Sequence, residues 1–429
     1  MSSPYKTAAL HTLGCKVNFT ETSHISASFQ DRGISLVSFD DIADIYVINT
    51  CSVTENANLK CQRLIRSLKR RNPDSFIVVT GCYAQLKPDE LSMNKNINLI
   101  VGTESKMDIA DIIMNNDADK GSYVSEVSDI EKFNVSYSIA DRVRSFIKVQ
   151  DGCDYNCSFC TIPMARGKSR SARIEEVTSI IESLKTKGFN EIVLSGINLG
   201  DFGKGTGESC YDLLNRLDGM LDIPRIRISS IEPNLLTDRI VTLLSKSDKF
   251  MPHLHIPLQS GSNKILKLMK RRYTKEFYED KIHLIKRKIP NISIGVDVIT
   301  GFPTETEEDF LETYNLLNRL EVSYLHVFTY SERENTLGAS LESKVPQKIR
   351  NERSKRLRAL SDVLKSKFII NNMDKSHKVL IESKDDEIVH GYTENYIKVK
   401  IMNKNLNINQ LVSVKPIDQY LDHMVGAIE

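Results

Sequence analysis

Eight cysteines occur in the 429-residue chain, and six of them stand in patterned surroundings. Cys153, Cys157 and Cys160 share one stretch, DGCDYNCSFCTIPMARGKSR, at a C-x3-C-x2-C spacing. Cys15, Cys51 and Cys82 are far apart in sequence, but each follows a short apolar run, in LGCKVN, NTCSVT and GCYAQ. Thiols in threes can hold a metal or a cluster, do redox work, or form disulfides. Length argues against disulfides, because two or three units of ordinary size each bury a core without covalent staples. The start, MSSPYKTAALHTLGC, has no basic region followed by an apolar signal core. No apolar run reaches the roughly eighteen residues that a membrane span needs. A soluble cytoplasmic protein is expected, and in a reducing compartment clustered cysteines serve metal or redox chemistry.

Zinc sites usually draw four ligands from paired C-x2-C or Cys/His spacings. No histidine or fourth cysteine near Cys153–Cys160 completes a tetrahedron. Three thiolates on one loop suit a [4Fe-4S] cubane with one iron left open to a substrate.

The elements around these cysteines fall into three segments. From about Lys6 to Met114, the runs TAALHTL, IYVINT and FIVVTG alternate with helix-compatible or turn-rich stretches, which predicts a doubly wound parallel sheet. Cys15, Cys51 and Cys82 then sit just past the carboxyl ends of three strands, the edge where such sheets bind ligands. The polar stretch NNDADKGSYVSEVSDIEKFN reads as a linker. Beyond it, SFIKVQ, EIVLSG, RIRISS, HLHIPLQ, SIGVDVIT and SYLHVFTY alternate with helical patterns and carry no hairpin signal. Six such units predict a partial (β/α)6 TIM-like barrel, with polar or glycine-bearing residues after each strand on the face that builds active sites. After Pro346 a long amphipathic helix is expected, with Ile349, Leu357, Leu360 and Leu364 as its apolar stripe and Lys348, Arg350, Arg353, Lys355, Arg356 and Arg358 around it. The runs KVLIE, YIKVKI and QLVSVKPI predict a small C-terminal β-barrel. The expected domains are 4–116, 139–370 and 372–429.

A C-x3-C-x2-C loop directly after the first strand of a six-unit barrel resembles the radical S-adenosylmethionine (SAM) superfamily. That resemblance implies that the open iron on Cys153, Cys157 and Cys160 chelates SAM and that one electron cleaves it to a 5′-deoxyadenosyl radical. It also implies cofactor contacts at Phe159 near the adenine, at Ser195, Gly196 and Asn198 around the amino group, at Thr300 and Gly301 along the adenine, and at Ser230 and Gln259 on the same face. By the residues alone, Phe159 is equally an ordinary packed aromatic, and the glycines are equally plain turn residues.

LGCKVN, NTCSVT and GCYAQ in that order, ahead of the radical SAM loop, resemble the methylthiotransferase family over essentially the whole chain. The resemblance implies a second [4Fe-4S] cluster on Cys15, Cys51 and Cys82, and two SAM molecules per turnover, one giving its methyl to cluster-bound sulfur and one giving the radical. GINLGDFG, RISSIEP, HLHIPLQSGS and RRYT are most similar to the branch acting on N6-threonylcarbamoyladenosine in tRNA, and GYTENYIKVK resembles the RNA-binding TRAM domain. Implied partners are the tRNA anticodon stem-loop, SAM, and an electron donor such as flavodoxin or ferredoxin. The competing readings are methylthiolation of N6-isopentenyladenosine and a non-catalytic iron-sulfur RNA-binding protein.

Net charge is only +2, so RNA affinity must come from local clusters. Arg63, Arg66, Lys69, Arg70 and Arg71 form one such helix face, either solvated or in contact with tRNA. Arg166, Arg170 and Arg225 are candidates to meet the carboxylate of the threonylcarbamoyl group, or phosphate or SAM. Cys61 and Cys210 lie outside every motif and are expected to be buried. His253 and His255 alternate along a strand and are expected to fill barrel layers.

Overall fold

The computed structural model describes residues 5–52, 55–115, 121–139, 143–220, 225–403 and 405–429. Its N-terminal sheet has the strand order Ser35–Leu36, Thr7–Thr12, Ile45–Thr50, Phe76–Gly81, Leu99–Val101 and Gly121–Tyr123, parallel throughout. The central strands IYVINT and FIVVTG are buried at every residue, because helices cover both faces. Ile25 and Phe29 of helix Lys16–Asp31 and Ile109 and Ile113 of helix Ile109–Met114 pack on one face. Cys61, Ile65 and Leu68 of helix Glu55–Arg71 pack on the other. The doubly wound sheet is therefore as expected, with one correction. Gly121–Tyr123, assigned to the linker, pairs with Leu99–Val101 as the edge strand; three residues are too few to register as a strand by periodicity.

Six strands follow the expected runs: Arg144–Lys148, Glu191–Ser195, Arg225–Ile228, His253–His255, Ser293–Thr300 and Tyr324–Thr329. The first three form one parallel set and the last three another, joined by the parallel bridges Ile226↔Phe250 and Ser230↔His255. This is the partial barrel. Its two edges are covered differently. Ser136–Tyr137 lies antiparallel on the first strand, a pairing the sequence did not signal. Helix Gln347–Ile370 lies along the sixth, where Ser361 Oγ accepts from the Leu325 amide at 2.9 Å. Leu357, Leu360 and Leu364 of that helix are buried as expected, whereas Ile349 is 37% exposed and off the stripe. Arg350 and Arg353, expected on its basic face, are buried instead and pair with Glu332 and Glu305.

The C-terminal strands His377–Asp385, Ile388–Tyr392, Lys398–Met402, Met424–Ile428 and Leu411–Gln419 close into a barrel in that order. It is not a free-standing appendage. The turn after Tyr392 enters the amino-terminal end of the larger barrel, where Arg227 donates to the Thr393 and Glu394 carbonyls, both at 2.8 Å. Tyr396 stacks on His253 with centroids 4.5 Å apart. Among the described residues no helix is long and apolar enough to cross a membrane.

Candidate active site

Parallel register brings the N-terminal cysteines together. Thr12 pairs with Asn49, Asn49 with Thr80 and Thr50 with Gly81, so three strands end level and Cys15, Cys51 and Cys82 leave from one edge. Two glycines make this possible. Gly14, at φ +133°, lies so close to Cys51 that a side chain there would meet the Cys51 Cβ at 3.0 Å. Gly81, at φ +93°, turns the chain into helix Cys82–Leu86 where a Cβ would meet the Thr50 carbonyl at 2.4 Å. Asn18 braces the edge by donating to Asn49 Oδ1 at 3.1 Å and to the Thr50 carbonyl at 2.8 Å, and Cys15 Sγ stands 3.3 Å from Asn18 Oδ1.

The second cysteine loop is pinned at its base by Gln150–Asp151 pairing antiparallel with Arg170–Ser171. Gly152, at φ +70°, passes where a Cβ would come within 2.0 Å of the Lys168 carbonyl. Inside the loop, the Tyr155 and Ile162 amides point at Cys153 Sγ and Cys160 Sγ, each at 3.4 Å, and Arg271 Nη1 stands 3.1 Å from Cys157 Sγ. Donors aimed at sulfur stabilise thiolate and tune a cluster that thiolates hold. Each trio thus offers three thiols, and the second trio also has hydrogen-bond donors directed at its sulfurs, a donor set that fits a cubane with one open iron. Among the described residues no three His, Cys, Asp or Glu side chains converge tightly enough to hold a single ion. Ligands of a cubane bind different iron atoms and stand further apart than ligands of one ion. Burial pushes the Cys153 and Cys160 thiols up to about 12.

Between the two loops lies a buried charge network that the sequence did not announce. Arg166, fully buried, donates to Glu21 Oε1 at 2.9 Å, to Asp151 Oδ1 at 2.8 Å and to Asn18 Oδ1 at 2.7 Å. Lys106 reaches Glu21 at 2.9 Å, and Lys148 reaches Glu21 at 3.4 Å and Asp151 at 3.5 Å. These cations hold the Glu21 carboxyl well below the usual glutamate range against the cost of burial. Arg166 also feels Cys15 and Cys82, so the network adjoins the N-terminal trio while its own helix, Ile162–Arg166, leads back to Cys160. One signal could have found it. Asn18, Glu21 and Thr22 lie with Val17, Ile25 and Phe29 on the buried face of helix Lys16–Asp31, where polar groups need internal partners.

The expected cofactor contacts divide. Phe159 and Gln259 line a cavity of about 200 Å³ together with Cys160, Thr161, Asp297 and Tyr330. Gln259 holds φ +67° there, with its amide on the Asp297 carbonyl at 2.9 Å. Gly196 packs against Gln150, where a Cβ would meet its Oε1 at 2.9 Å, and Asn198 keeps a buried Oδ1 without a partner among the described residues. An orphaned acceptor beside the cysteine loop fits an ammonium-bearing ligand. Ser195 is buried at the end of its strand, and the Ser230 carbonyl accepts from the Leu199 amide at 3.3 Å. Thr300 and Gly301 follow Ile299, which lines the cavity, but do not line it themselves. The Thr300 hydroxyl bonds Ser354 Oγ at 2.6 Å, its carbonyl accepts from Tyr330, and the Gly301 amide goes to Glu305 at 2.8 Å. The Thr300 hydroxyl and carbonyl and the Gly301 amide thus have internal partners.

Three further expectations change. Arg166 and Arg225 are not free for a substrate carboxylate: Arg166 is held as described and Arg225 pairs with Glu191 at 3.1 Å. Arg170 donates to the Arg166 and Lys168 carbonyls, both at 2.8 Å. His253 is buried and shares a 2.7 Å hydrogen bond with Tyr324, and His255 bonds Asp297 at 2.8 Å, so both fill the barrel as expected. Cys61 and Cys210 are buried in apolar cores.

Residues 147–317 match the Radical SAM superfamily, and residues 7–102 match Uncharacterized protein family UPF0004. Threonylcarbamoyladenosine tRNA methylthiotransferase MtaB of Bacillus subtilis (strain 168) is 40% identical over 421 residues, covering 95% of this chain and 93% of its own. The protein of the same name from Aquifex aeolicus (strain VF5) is 40% identical over 91% of this chain and 96% of its own. The tRNA-2-methylthio-N(6)-dimethylallyladenosine synthase of Bacillus subtilis (strain 168) is 31% identical, over 95% and 82%. Among solved structures, the radical SAM methyltransferase TsrM from Kitasatospora setae, with cobalamin and a [4Fe-4S] cluster bound, aligns at TM-score 0.57 and 14% identity over 78% of this chain and 77% of that one. That likeness is one of fold. The barrel with its cysteine loop thus defines a radical SAM enzyme, the class that works with SAM and a [4Fe-4S] cluster. Within it, the chain belongs to the threonylcarbamoyladenosine tRNA methylthiotransferase family.

Proposed function

We propose that this protein replaces the C2 hydrogen of N6-threonylcarbamoyladenosine, next to the anticodon of tRNA, by a methylthio group. The observation that carries the reading is the meeting of two cysteine edges across one buried network. Cys15, Cys51 and Cys82 end the strands of the sheet, Cys153, Cys157 and Cys160 follow the first barrel strand, and Arg166 ties the two loops through Asn18, Glu21 and Asp151. Such an arrangement lets one base face both sites at once.

We assign Cys153, Cys157 and Cys160 to the cluster that cleaves SAM, and Cys15, Cys51 and Cys82 to a second cluster. When bound, these groups supply radical formation and methylthio delivery, with two SAM molecules per turnover and electrons from a flavodoxin- or ferredoxin-type donor. The chain's own residues position them. Phe159 and Gln259 border the space beside Cys160, Asn198 Oδ1 awaits a donor, and Arg271 and the Tyr155 and Ile162 amides support the sulfurs. Domains at 4–116, 139–370 and 372–429 then divide sulfur delivery, radical formation and RNA contact in the cytoplasm. The base must leave the anticodon-loop stack to enter, as enzymes acting on bases generally require.

The deciding experiment is nucleoside mass spectrometry of tRNA from cells with and without the gene. Loss of 2-methylthio-N6-threonylcarbamoyladenosine, with its unmethylthiolated precursor accumulating, is expected. Loss of the methylthio-isopentenyl nucleoside instead would overturn the substrate assignment.

A further inference from the structure

Lys16 stands where a cation is electrostatically misplaced. It is the first residue of helix Lys16–Asp31, whose first turn carries no acidic side chain, so its charge faces the positive end of the helix dipole. Cys15 and Lys16 both present surface to solvent, and the surrounding protein partly desolvates both. The charged and polar groups facing Lys16 come from the barrel and from the small C-terminal domain: Arg144, Arg227 and Asp297 on barrel strands, and Tyr396 from the inserted turn. His253 and His326 feel Lys16 in turn. The lysine therefore stands at the sheet edge beside Cys15, within electrostatic reach of the barrel strands and of the inserted turn. Asp297 also lines the cavity that holds Phe159 and Cys160.

The neighbouring cations are already neutralised. Arg166, Lys106 and Lys148 share Glu21 and Asp151. Arg144, Arg225 and Arg227 share Glu191, with Glu382 also on Arg144. Arg271 is on Glu232. Lys16 makes no hydrogen bond or ion pair among the described residues, and the nearby Asp297 carboxylate is occupied by His255 at 2.8 Å. Among the described residues, buried Arg333 also has no carboxylate in contact. Arg333 donates to Ser52 Oγ at 2.7 Å, but the cavity it lines also carries Glu55, Glu90, Glu332 and Glu334, where an entering anion meets its own charge.

We propose that the Lys16 ammonium binds the carboxylate of the threonylcarbamoyl substituent and so selects this nucleoside over its hydrocarbon counterpart. The inference rests on the function proposed above and names the residue that sets its specificity. An anion there gives Lys16 the partner that Arg144 and Arg227 already have in Glu191. An isopentenyl group leaves the lysine unpaired in a confined space, which is the kind of mismatch that polar sites reject strongly.

The test uses anticodon stem-loops carrying N6-threonylcarbamoyladenosine, its carboxylate methyl ester, or N6-isopentenyladenosine, with the wild type, Lys16→Met and Lys16→Arg. Wild type is expected to favour the acid over the ester by about 10- to 100-fold in kcat/KM. Lys16→Met should lose about that factor on the acid, through KM and through stem-loop affinity measured by anisotropy without turnover, and change ester turnover by no more than about twofold. Lys16→Arg should retain most of the preference, and iron content should be unchanged in both variants. Equal use of acid and ester by the wild type overturns the proposal even if a variant fails to assemble. So does an equal loss on acid and ester in Lys16→Met. Wild-type turnover of the isopentenyl stem-loop alone would instead overturn the substrate assignment itself.

Discussion

Arg166 and Glu21 are 145 residues apart in sequence, and in the fold Arg166 Nη1 lies 2.9 Å from Glu21 Oε1 with neither side chain exposed. This ion pair joins the sheet that presents Cys15, Cys51 and Cys82 to the loop that presents Cys153, Cys157 and Cys160. It fixes the sheet edge against the cysteine loop.

Breaking the pair from one side leaves buried charges unmatched. Arg166→Met should destabilise the protein by about 3–5 kcal/mol, read as a fall in thermal midpoint. It should also uncouple the sites, so that SAM cleavage per methylthio product rises. An unchanged product ratio would show that the network does not set the geometry.

The same network makes stability depend on acid. The folded Glu21 carboxyl is held below its ordinary value by Arg166, Lys106 and Lys148. Its contribution is therefore complete above the unfolded glutamate pKa, about 4.3, and is lost as pH falls through the lower folded value. The thermal midpoints of wild type and Glu21→Gln should differ most near neutrality and converge as the pH falls below about 4. A gap independent of pH would contradict the assignment.

Replacing Cys153, Cys157 and Cys160 together by alanine should lower iron from about eight to about four atoms per chain and abolish formation of 5′-deoxyadenosine. Replacing Cys51 or Cys82 should preserve 5′-deoxyadenosine formation and stop methylthio product. Loss of both activities in a folded Cys82→Ala protein that keeps the barrel cluster would refute the division of labour.

Removal of the chain after Asn372 would simply detach an RNA-binding module if the C-terminal barrel were independent. The structure argues for a larger effect, since truncation strips the Thr393 and Glu394 carbonyls from Arg227 and Tyr396 from His253. The truncated chain should lose thermal stability and SAM cleavage as well as tRNA affinity. Full SAM cleavage by a truncated protein of normal stability would show that the inserted turn is dispensable.

On helix Glu55–Arg71, Arg63, Arg66, Lys69 and Arg70 line one open surface. Lys69 and Arg71 are held back, Lys69 on the Pro73 and Ser75 carbonyls and Arg71 on the Phe39 carbonyl. Changing Arg63, Arg66 and Arg70 to glutamine should weaken tRNA binding and reduce its salt dependence by about 0.7–0.9 in log–log slope for each phosphate no longer neutralised. An unchanged slope would make this a solvated face. Arg353 and Arg356 are poorer candidates, because Glu305 and Glu307 already neutralise them.

The six cysteines, the strands before them and the order of the three architectures were legible in sequence, because spacing and apolar periodicity are local properties. A run such as IYVINT is buried on both faces wherever it sits in a parallel sheet, and Cys51 follows it at once, so the residue's place at the strand end needs no knowledge of the rest of the chain. Partners were not legible. Arg166 reads in sequence as a free cation near a loop, and the docking of helix Lys16–Asp31 brings Glu21 and Asn18 to it beside Asp151. Arg350 and Arg353 read as a basic face until Glu332 and Glu305 arrive from barrel loops. The polar segment holding Gly121–Tyr123 reads as linker until Leu99–Val101 offers it a ladder. The physical reason is common to all of these. Which side chains are apolar, and at what period, is written along the chain, whereas the free energy of a buried charge depends on what stands within a few ångströms of it. That distance is set by tertiary packing alone.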